Sequence, residues 1–244
     1  MVKKIRTTIS NILNFSFTSK TAYIILCEIV MGIFLIIISL LFFVDITKDT
    51  IFDKEVVALD MVISQVIYSF RTPLLNEVMT FISYFGADFI LVFSTIIAIV
   101  LSWKKHKKES ILFTIMLLFG SILNVTLKQI FQRPRPDIDP LFTLTSYSFP
   151  SGHAMNALVF YATLAYLTYH FSGNIKRTLI MIAIVIVLIL LIGVSRVYLG
   201  VHYPSDVVAG YAAGLLWFLL VLVVERTIAF RRLYKQSHPS KRRK

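Results

Sequence analysis

Charge and cysteine are both scarce in this sequence. Only 16% of the 244 residues are charged, whereas 57% are hydrophobic, which excludes an ordinary soluble domain and predicts a polytopic membrane protein. The single cysteine, Cys27, excludes an intramolecular disulfide. The sequence also has no internal repeat, no obvious cluster of metal ligands, and no low-complexity stretch apart from a basic tail at residues 235–244. The few polar residues between the apolar runs are therefore the candidates for chemistry.

The apolar runs predict an all-α fold, a six-transmembrane helical bundle. A helix rises roughly 1.5 Å per residue, so about 20 apolar residues cross a hydrocarbon core of about 30 Å, and a helix satisfies its own backbone hydrogen bonds in lipid. The first run is too long for a signal-peptide core and is interpreted as an uncleaved signal anchor. The second run is short, so residues 74–84 are expected to form a partly inserted segment before it. The predicted spans are residues 22–44, 89–103, 111–131, 151–171, 178–199 and 204–225.

The placement of basic residues predicts the topology. Six spans put both termini on one side, and the segments on that side contain 18 of the 25 Lys and Arg residues. The positive-inside rule therefore predicts cytoplasmic termini. Most of the net charge of +12 is then explained by the topology and by attraction to anionic lipid headgroups. Nucleic acid is therefore not an expected partner. The chain is predicted to be one integral membrane domain, residues 1–244, with a basic N-terminus (1–21), a helical core (22–229) and a basic tail (230–244).

Two acidic features of the apolar regions have structural interpretations. Apolar residues between positions 56 and 67 recur at helical spacing, with Asp60 and Gln65 between them, which predicts an amphipathic helix on the extracytoplasmic membrane surface. Packing against the bundle is its favoured role.

Glu28 lies within the first span, near its cytoplasmic end. Such a carboxylate more often reaches the interface or pairs with a neighbouring helix than takes part in catalysis.

Three polar clusters interrupt the apolar pattern on the side opposite the termini. They are residues 128–136 (KQIFQRPRP), 150–153 (PSGH) and 195–206 (SRVYLGVHYPSD). Arginine matches phosphate oxygens in pairs and lysine supplies a point charge, while a histidine can exchange protons or attack phosphorus. A lone interfacial cation usually only reaches the headgroups, but three cations beside two histidines favour phosphate binding. The clusters therefore suggest phosphoryl transfer.

The clusters resemble the three-part signature of the type 2 phosphatidic acid phosphatase superfamily, K-x6-RP, PSGH and SR-x5-H-x3-D, in order and in spacing. The apolar spans make the chain similar to the bacterial membrane branch of that superfamily. This resemblance implies a metal-independent lipid phosphatase without a cofactor, in the bacterial inner membrane, with its site on the extracytoplasmic side. The implied substrate is a lipid phosphate or diphosphate, with undecaprenyl diphosphate favoured and phosphatidylglycerophosphate or phosphatidic acid next.

The resemblance also implies a role for each site residue. His202 is the nucleophile that forms a phosphohistidine, Asp206 orients it, and His153 is the general acid for the leaving oxygen and then the base for water. From the residues alone, Ser151 could equally be a helix N-cap. Asp206 could merely complement the dipole of the helix in which it lies. Arg133 lies outside the pattern and is interpreted as a loop or interface charge. The implied phosphate-binding residues are Lys128, Arg135, Ser151, Gly152 and Arg196.

Two other functions are compatible with the sequence. A phosphotransferase would use the same residues but pass the phosphoryl group to an alcohol or a sugar lipid instead of water. A non-catalytic lipid-binding or transport protein would have a pocket that merely resembles the enzyme's. Haloperoxidase activity is a weaker possibility, because the haloperoxidases of this superfamily are not embedded in a membrane. The sequence makes no prediction of the oligomeric state.

Overall fold

Every regular element in the described part of the chain is an α-helix, which confirms the predicted all-α class. The computed structural model describes residues 20–104, 106–137 and 139–237. Residues 1–19 of the predicted basic N-terminus and residues 238–244 of the predicted basic tail lie outside this part. The helices are α1 (Lys20–Phe52), α2 (Lys54–Tyr68), α3 (Pro73–Tyr84), α4 (Asp88–Trp103), α5 (Lys107–Phe131), α6 (Gly152–Ser172), α7 (Ile175–Tyr198) and α8 (Pro204–Ser237).

Four of these helices, α1, α5, α7 and α8, are long and apolar enough to cross a membrane. α6 has 21 residues but carries more polar side chains, and α4 contributes only the shorter apolar helix Val92–Trp103. The prediction of a membrane-embedded helical protein is confirmed, and the count of six crossings stays a prediction. α1 and α8 continue beyond the predicted spans. The reason is that caps and packing, and not the edge of an apolar run, determine where a helix ends. Asp53 stops α1 in this way by capping α2, where it accepts a hydrogen bond from Glu55 N at 2.8 Å.

The compact unit Ser39–Phe218 is built around α6 and α7. α6 packs against α5 and α7, α4 packs against α5 and α6, and α2 and α3 pack against α7. α6 and α8 also approach closely at two glycines of α8. A Cβ atom on Gly210 would lie 2.7 Å from the carbonyl oxygen of Ser151, and one on Gly214 would lie 3.0 Å from that of Met155. This close approach places the start of α6 directly beside α8.

A second compact unit contains the described residues 20–38 and 219–237. Ala22, Ile25 and Phe230 form its buried core. Glu28 pairs with Arg226, with 3.2 Å between Oε2 and Nε. Pairing with a neighbouring helix is the structural role expected for this carboxylate.

α2 buries two of its polar side chains and exposes several of its apolar ones. Asp60 and Ser64 are buried, whereas Leu59, Val62 and Val66 are each more than half exposed. The helix packs against α7, which agrees with the expected packing of this helix against the bundle. The polar residues nevertheless lie on the protein side. An apolar outer face is compatible with lipid, and a carboxylate turned into the protein needs a partner there.

Candidate active site

The three predicted clusters come together where α5 and α7 end and where α6 and α8 begin. Lys128 lies in the last turn of α5 and Arg196 in the last turn of α7. His153 is the second residue of α6, and Asp206 lies in the first turn of α8. The side chains of Lys128, Arg196 and Asp206 are buried. Residues that are far apart in the sequence thus form one site at one end of the helices.

His202 lies between α7 and α8, with its two ring nitrogens in different surroundings. Nδ1 is 3.3 Å from Ser148 Oγ and 3.5 Å from Asp206 Oδ2. Ser148 donates a hydrogen bond to the same carboxylate oxygen, so its hydroxyl is free to accept one from Nδ1–H. Nε2 lies 3.3 Å from Nη1 of Arg135. This arrangement keeps the proton on Nδ1 and leaves Nε2 as the nitrogen with a lone pair.

His202 is neutral at neutral pH. Burial, opposed by Asp206 and reinforced by Arg196 and Arg135, lowers its pKa from 6.5 to about 3. The side chain is only 2% exposed, so water does not compensate the charged form. A neutral imidazole with a free lone pair can act as a nucleophile.

Backbone carbonyl groups of the loop before α6 orient two of the cations. Lys128 Nζ donates hydrogen bonds to the carbonyl oxygens of Tyr147 at 2.5 Å and Ser148 at 3.2 Å. Arg135 donates through Nε to the carbonyl oxygen of Ser146 at 2.6 Å. Burial, opposed by Asp206, lowers the pKa of Arg135. The loop therefore holds both cations at the site before any anion is bound.

Arg196 and His153 lie beside the turn that joins α3 to α4. Arg196 donates a hydrogen bond to Oγ of Ser83, the last buried residue of α3. A Cβ atom on Gly86 would lie 3.0 Å from Cδ2 of His153, so the absence of a side chain at Gly86 makes room for this imidazole. His153 also lies within electrostatic reach of Arg196 and Lys128. The structure therefore brings the second histidine to the cation cluster.

Ser151 occupies the N-cap position of α6, as predicted, but its side chain makes no capping hydrogen bond. Its Oγ is buried and has no hydrogen-bond partner among the described residues. The backbone N–H donates to the carbonyl oxygen of Asp206 at 2.9 Å. At Gly152, a Cβ atom would lie 2.8 Å from Oδ1 of Asn124. An unused hydroxyl at the start of a helix suits an anion better than it suits a cap.

The interpretation of Arg133 as an interface charge is wrong, although its expected place in a loop agrees with the structure. Arg133 lies in the loop after α5 but is only 7% exposed. Its Nη1 is 2.5 Å from Asp206 Oδ1, and its Nη2 is 2.8 Å from Asp60 Oδ2. Burial alone would lower the pKa of Arg133, but the two carboxylates more than offset this effect and raise it. A buried cation between two carboxylates belongs to the site.

The sequence pattern missed three residues, Asp60, Arg133 and Ser148. The available signal for Asp60 was a polar pair, Asp60 and Ser64, four residues apart and so on one face of a helix that is mainly apolar. Arg133 and Ser148 each lie two residues before a fixed signature position, but their residue types alone do not distinguish them from ordinary loop residues.

Apolar helices with a buried imidazole, an acid–base candidate and three cations at one end define a membrane-embedded phosphatase. The sequence profile of the PAP2 superfamily matches residues 109–230, half of the chain. The chain belongs to the PAP2 superfamily.

The similar proteins are phosphatases by name. The chain is 40% identical over 188 residues to phosphatidylglycerophosphatase B of Bacillus subtilis (strain 168), a match that covers 75% of this chain and 92% of that protein. It is 29% identical over 159 residues to an undecaprenyl-diphosphatase of Sulfolobus acidocaldarius, covering 63% and 72%. A crystal structure of a transmembrane PAP2 type phosphatidylglycerolphosphate phosphatase from Bacillus subtilis matches with a TM-score of 0.74 and 36% identity, over 79% of this chain and 96% of that one.

Proposed function

We propose that this chain hydrolyses a membrane lipid phosphate or diphosphate through a phosphohistidine formed on His202. The observation that carries the proposal is the buried imidazole of His202, with Ser148 and Asp206 at Nδ1 and Arg135 at Nε2. A nitrogen nucleophile that faces a cation cluster has its lone pair where a bound phosphate would present phosphorus. The family membership supports the same chemistry.

In the first half-reaction, Nε2 of His202 attacks phosphorus. The bond between nitrogen and phosphorus forms as the bond between phosphorus and the leaving oxygen breaks. Protonated His153 gives its proton to that oxygen, so the lipid leaves with a free hydroxyl group or, from a diphosphate, as a monophosphate. The phosphoimidazolium keeps its Nδ1 proton, and the carboxylate of Asp206 stabilises its positive charge.

In the second half-reaction, water attacks the phosphohistidine. His153, now neutral, accepts a proton from this water while the bond between phosphorus and Nε2 breaks. Inorganic phosphate leaves, and the electron pair of the broken bond returns to Nε2. The site is then ready for another lipid, with His153 protonated again.

The remaining residues of the site hold the phosphate and stabilise its transition state. Lys128, Arg135 and Arg196 supply three positive charges, and their orientation by fixed partners means that little reorganisation accompanies the reaction. Ser151 supplies a hydroxyl that no described residue uses. Gly152 keeps the backbone at the start of α6 free of a side chain.

A lipid substrate agrees with an apolar cavity of about 530 Å³ between α4, α5 and α6. Its lining includes Phe113 and Leu117, and it reaches Ala87 and Asn156. Ala87 follows Gly86, where a Cβ atom would lie 3.0 Å from the ring of His153, and Asn156 lies about one helical turn after His153. An acyl or isoprenoid tail in this cavity would lie close to His153.

Phosphatidylglycerophosphate and undecaprenyl diphosphate are the substrates to test first. An extracytoplasmic site, as predicted from the sequence, favours the second, because that carrier lipid is released on the outer side of the membrane. The higher identity and coverage of phosphatidylglycerophosphatase B favour the first. Both have an anionic phosphate on an apolar tail and suit the same cation cluster.

We also propose six membrane crossings, by α1, α4, α5, α6, α7 and α8, within a single membrane domain. Both termini then lie in the cytoplasm, and the site and α2 lie at the extracytoplasmic face. The excess of Lys and Arg in the segments on the terminal side supports this topology. The 21 residues of α6 are sufficient to cross the hydrocarbon core despite their polar content.

Release of inorganic phosphate by the purified protein in detergent tests the function. The substrates are phosphatidylglycerophosphate, undecaprenyl diphosphate, phosphatidic acid and diacylglycerol diphosphate, each assayed with and without EDTA. We expect release from at least one lipid, unaffected by EDTA and abolished in folded His202→Ala protein. Near-normal hydrolysis by that variant would eliminate the mechanism. Phosphate transfer to an added alcohol or sugar lipid, without release to water, would establish the phosphotransferase instead.

A further inference from the structure

We infer that Asp60 and Arg133 are positioning residues that set the orientation and the effective charge of Asp206. The inference rests on the proposed function, in which Asp206 serves the nucleophile His202. Neither Asp60 nor Arg133 is a fixed position of the three-part signature. Their role follows from a buried chain of contacts that begins on α2 and ends at the imidazole.

Arg133 divides its guanidinium group between two carboxylates. Nη1 donates to Asp206 Oδ1 at 2.5 Å and also to Ser205 Oγ at 2.9 Å, while Nη2 donates to Asp60 Oδ2 at 2.8 Å. The guanidinium carbon lies 4.3 Å from the centroid of the Tyr203 ring. Planar hydrogen bonding and ring stacking together leave Arg133 a single orientation.

The two oxygens of Asp206 consequently have different tasks. Oδ1 accepts from Arg133. Oδ2 accepts from Ser148 Oγ and, at 2.9 Å, from Tyr203 N, and it is the oxygen that faces His202 Nδ1. Rotation of the carboxylate would break both sets of hydrogen bonds. Arg133 therefore holds Oδ2 on the side of the imidazole.

Asp60 fixes the other end of this chain of contacts. Its Oδ1 accepts from Ser205 N at 2.9 Å, and its Oδ2 accepts from Ser205 Oγ as well as from Arg133. Ser205 is the second residue of α8 and precedes Asp206. One carboxylate of α2 thus satisfies a free N–H group at the start of α8 and holds Arg133 in place.

The charges of the three groups give Asp60 a second effect. Arg133 alone beside Asp206 would cancel the negative charge that stabilises a positively charged imidazole. With Asp60 present, the two carboxylates and one guanidinium carry a net charge of −1. All three are buried, so this charge is weakly screened by water. Asp60 therefore preserves the negative charge that His202 needs when it becomes phosphoimidazolium.

The primary test is Asp60→Asn, which keeps the shape of the side chain and removes its charge. We expect kcat to fall about 10- to 100-fold, the range for outer hydrogen-bonding partners of metal ligands, which likewise act through another residue. KM should be unchanged, because Asp60 does not contact the phosphate. The matched control is Glu55→Gln, which neutralises an exposed acid on the same helix and should keep wild-type kcat.

A double-mutant comparison separates positioning from general stability. In an Asp206→Asn background, measured by single-turnover assays, Asp60→Asn should have little further effect because the group on which it acts is already neutral. A purely structural role would lower activity by the same factor in both backgrounds and would lower the melting temperature in parallel. That result would overturn the inference.

Arg133→Lys provides a second test if Asp60→Asn does not fold. Lysine keeps the positive charge but cannot bridge two carboxylates with a planar fork, so kcat should again fall with KM unchanged. The control is Arg177→Lys, at an exposed arginine near the start of α7. Wild-type kcat in folded Asp60→Asn or Arg133→Lys protein would overturn the inference while leaving the proposed function intact. Absence of phosphate release by the wild type would overturn both.

Discussion

The hydroxyl oxygen of Ser148 lies 3.3 Å from Nδ1 of His202, closer to this nitrogen than the nearest oxygen of Asp206. The same hydroxyl donates its hydrogen to Asp206. A hydroxyl with its one hydrogen committed to a carboxylate must act as an acceptor towards the imidazole. Ser148 therefore helps to select the tautomer in which Nε2 is the nucleophile.

Ser148→Ala should lower kcat without a comparable change in KM. The substitution removes the hydrogen bond that holds the Nδ1 proton, and 3.5 Å is too long for Asp206 to replace it without movement. We expect a loss of about 10- to 100-fold in phosphate release under saturating lipid. Thr145→Ala, at an exposed position of the same loop, is the control. Unchanged kcat in the Ser148 variant would show that Asp206 orients the imidazole alone.

Ser151→Ala should weaken phosphate binding without loss of stability. Ala at a true capping position costs about 1 kcal/mol, but Oγ of Ser151 makes no capping hydrogen bond. A hydrogen bond from this hydroxyl to an anion is worth about 1.5 kcal/mol or more, which corresponds to roughly a tenfold rise in the inhibition constant of inorganic phosphate.

Thr72→Ala is the comparison for Ser151→Ala, because Thr72 Oγ1 does cap α3 by accepting from Leu75 N at 3.2 Å. Thermal unfolding in detergent should show a lower melting temperature for the Thr72 variant only. A similar destabilisation by Ser151→Ala would identify Ser151 as a structural residue.

The stability of the protein should fall as the pH decreases below 6.5, in part because of His202. The pKa of this residue is about 3 in the folded protein and near 6.5 in the unfolded chain. Between these values the unfolded chain binds a proton that the folded protein does not, which favours unfolding.

The contribution of His202 to this pH dependence approaches about 1.4 kcal/mol per pH unit. His202→Asn has no titrating group at this position and should lose less stability when the pH is lowered from about 7 to about 5. Free energies of unfolding in detergent at both pH values measure the difference between the two proteins. A difference that does not depend on pH would mean that His202 is accessible to protons in the folded state.

The sequence predicted the helical class and the location of the site because both depend on local patterns. Long apolar runs end next to the polar clusters, so antiparallel helices bring Lys128, His153, Arg196 and Asp206 to one end without knowledge of the packing. The positions of the cations therefore follow from the order of helices and loops.

The partners of Asp60 depend on packing and could not be predicted in the same way. Its contacts with Arg133 and Ser205 exist only because α2 packs against the bundle with Asp60 turned into the protein. Periodicity reports which residues share a face but not whether that face meets lipid or protein. Arg133 was misjudged for a related reason, since its burial is produced by residues far away in the sequence.

Gly210→Ala should lower activity by displacing the start of α6. In an ordinary helix this substitution is favourable by about 1 kcal/mol, so a loss of stability here would have a packing cause. The added Cβ atom would lie 2.7 Å from the carbonyl oxygen of Ser151 and 3.1 Å from Cβ of Ala154. Neither atom can rotate away, because one is backbone and the other is attached directly to it.

The helices must therefore separate, which moves Ser151 and His153 away from the groups carried by α8. A misplacement of about 1 Å can cost roughly 100-fold in rate, and overpacking of this kind costs about 1–3 kcal/mol in stability. Phosphate release and thermal unfolding of Gly210→Ala measure the two effects, with Val208→Ala on the exposed side of α8 as the control. Wild-type kcat with an increased melting temperature would show that α6 and α8 tolerate separation, and that the close approach at Gly210 does not hold the site together.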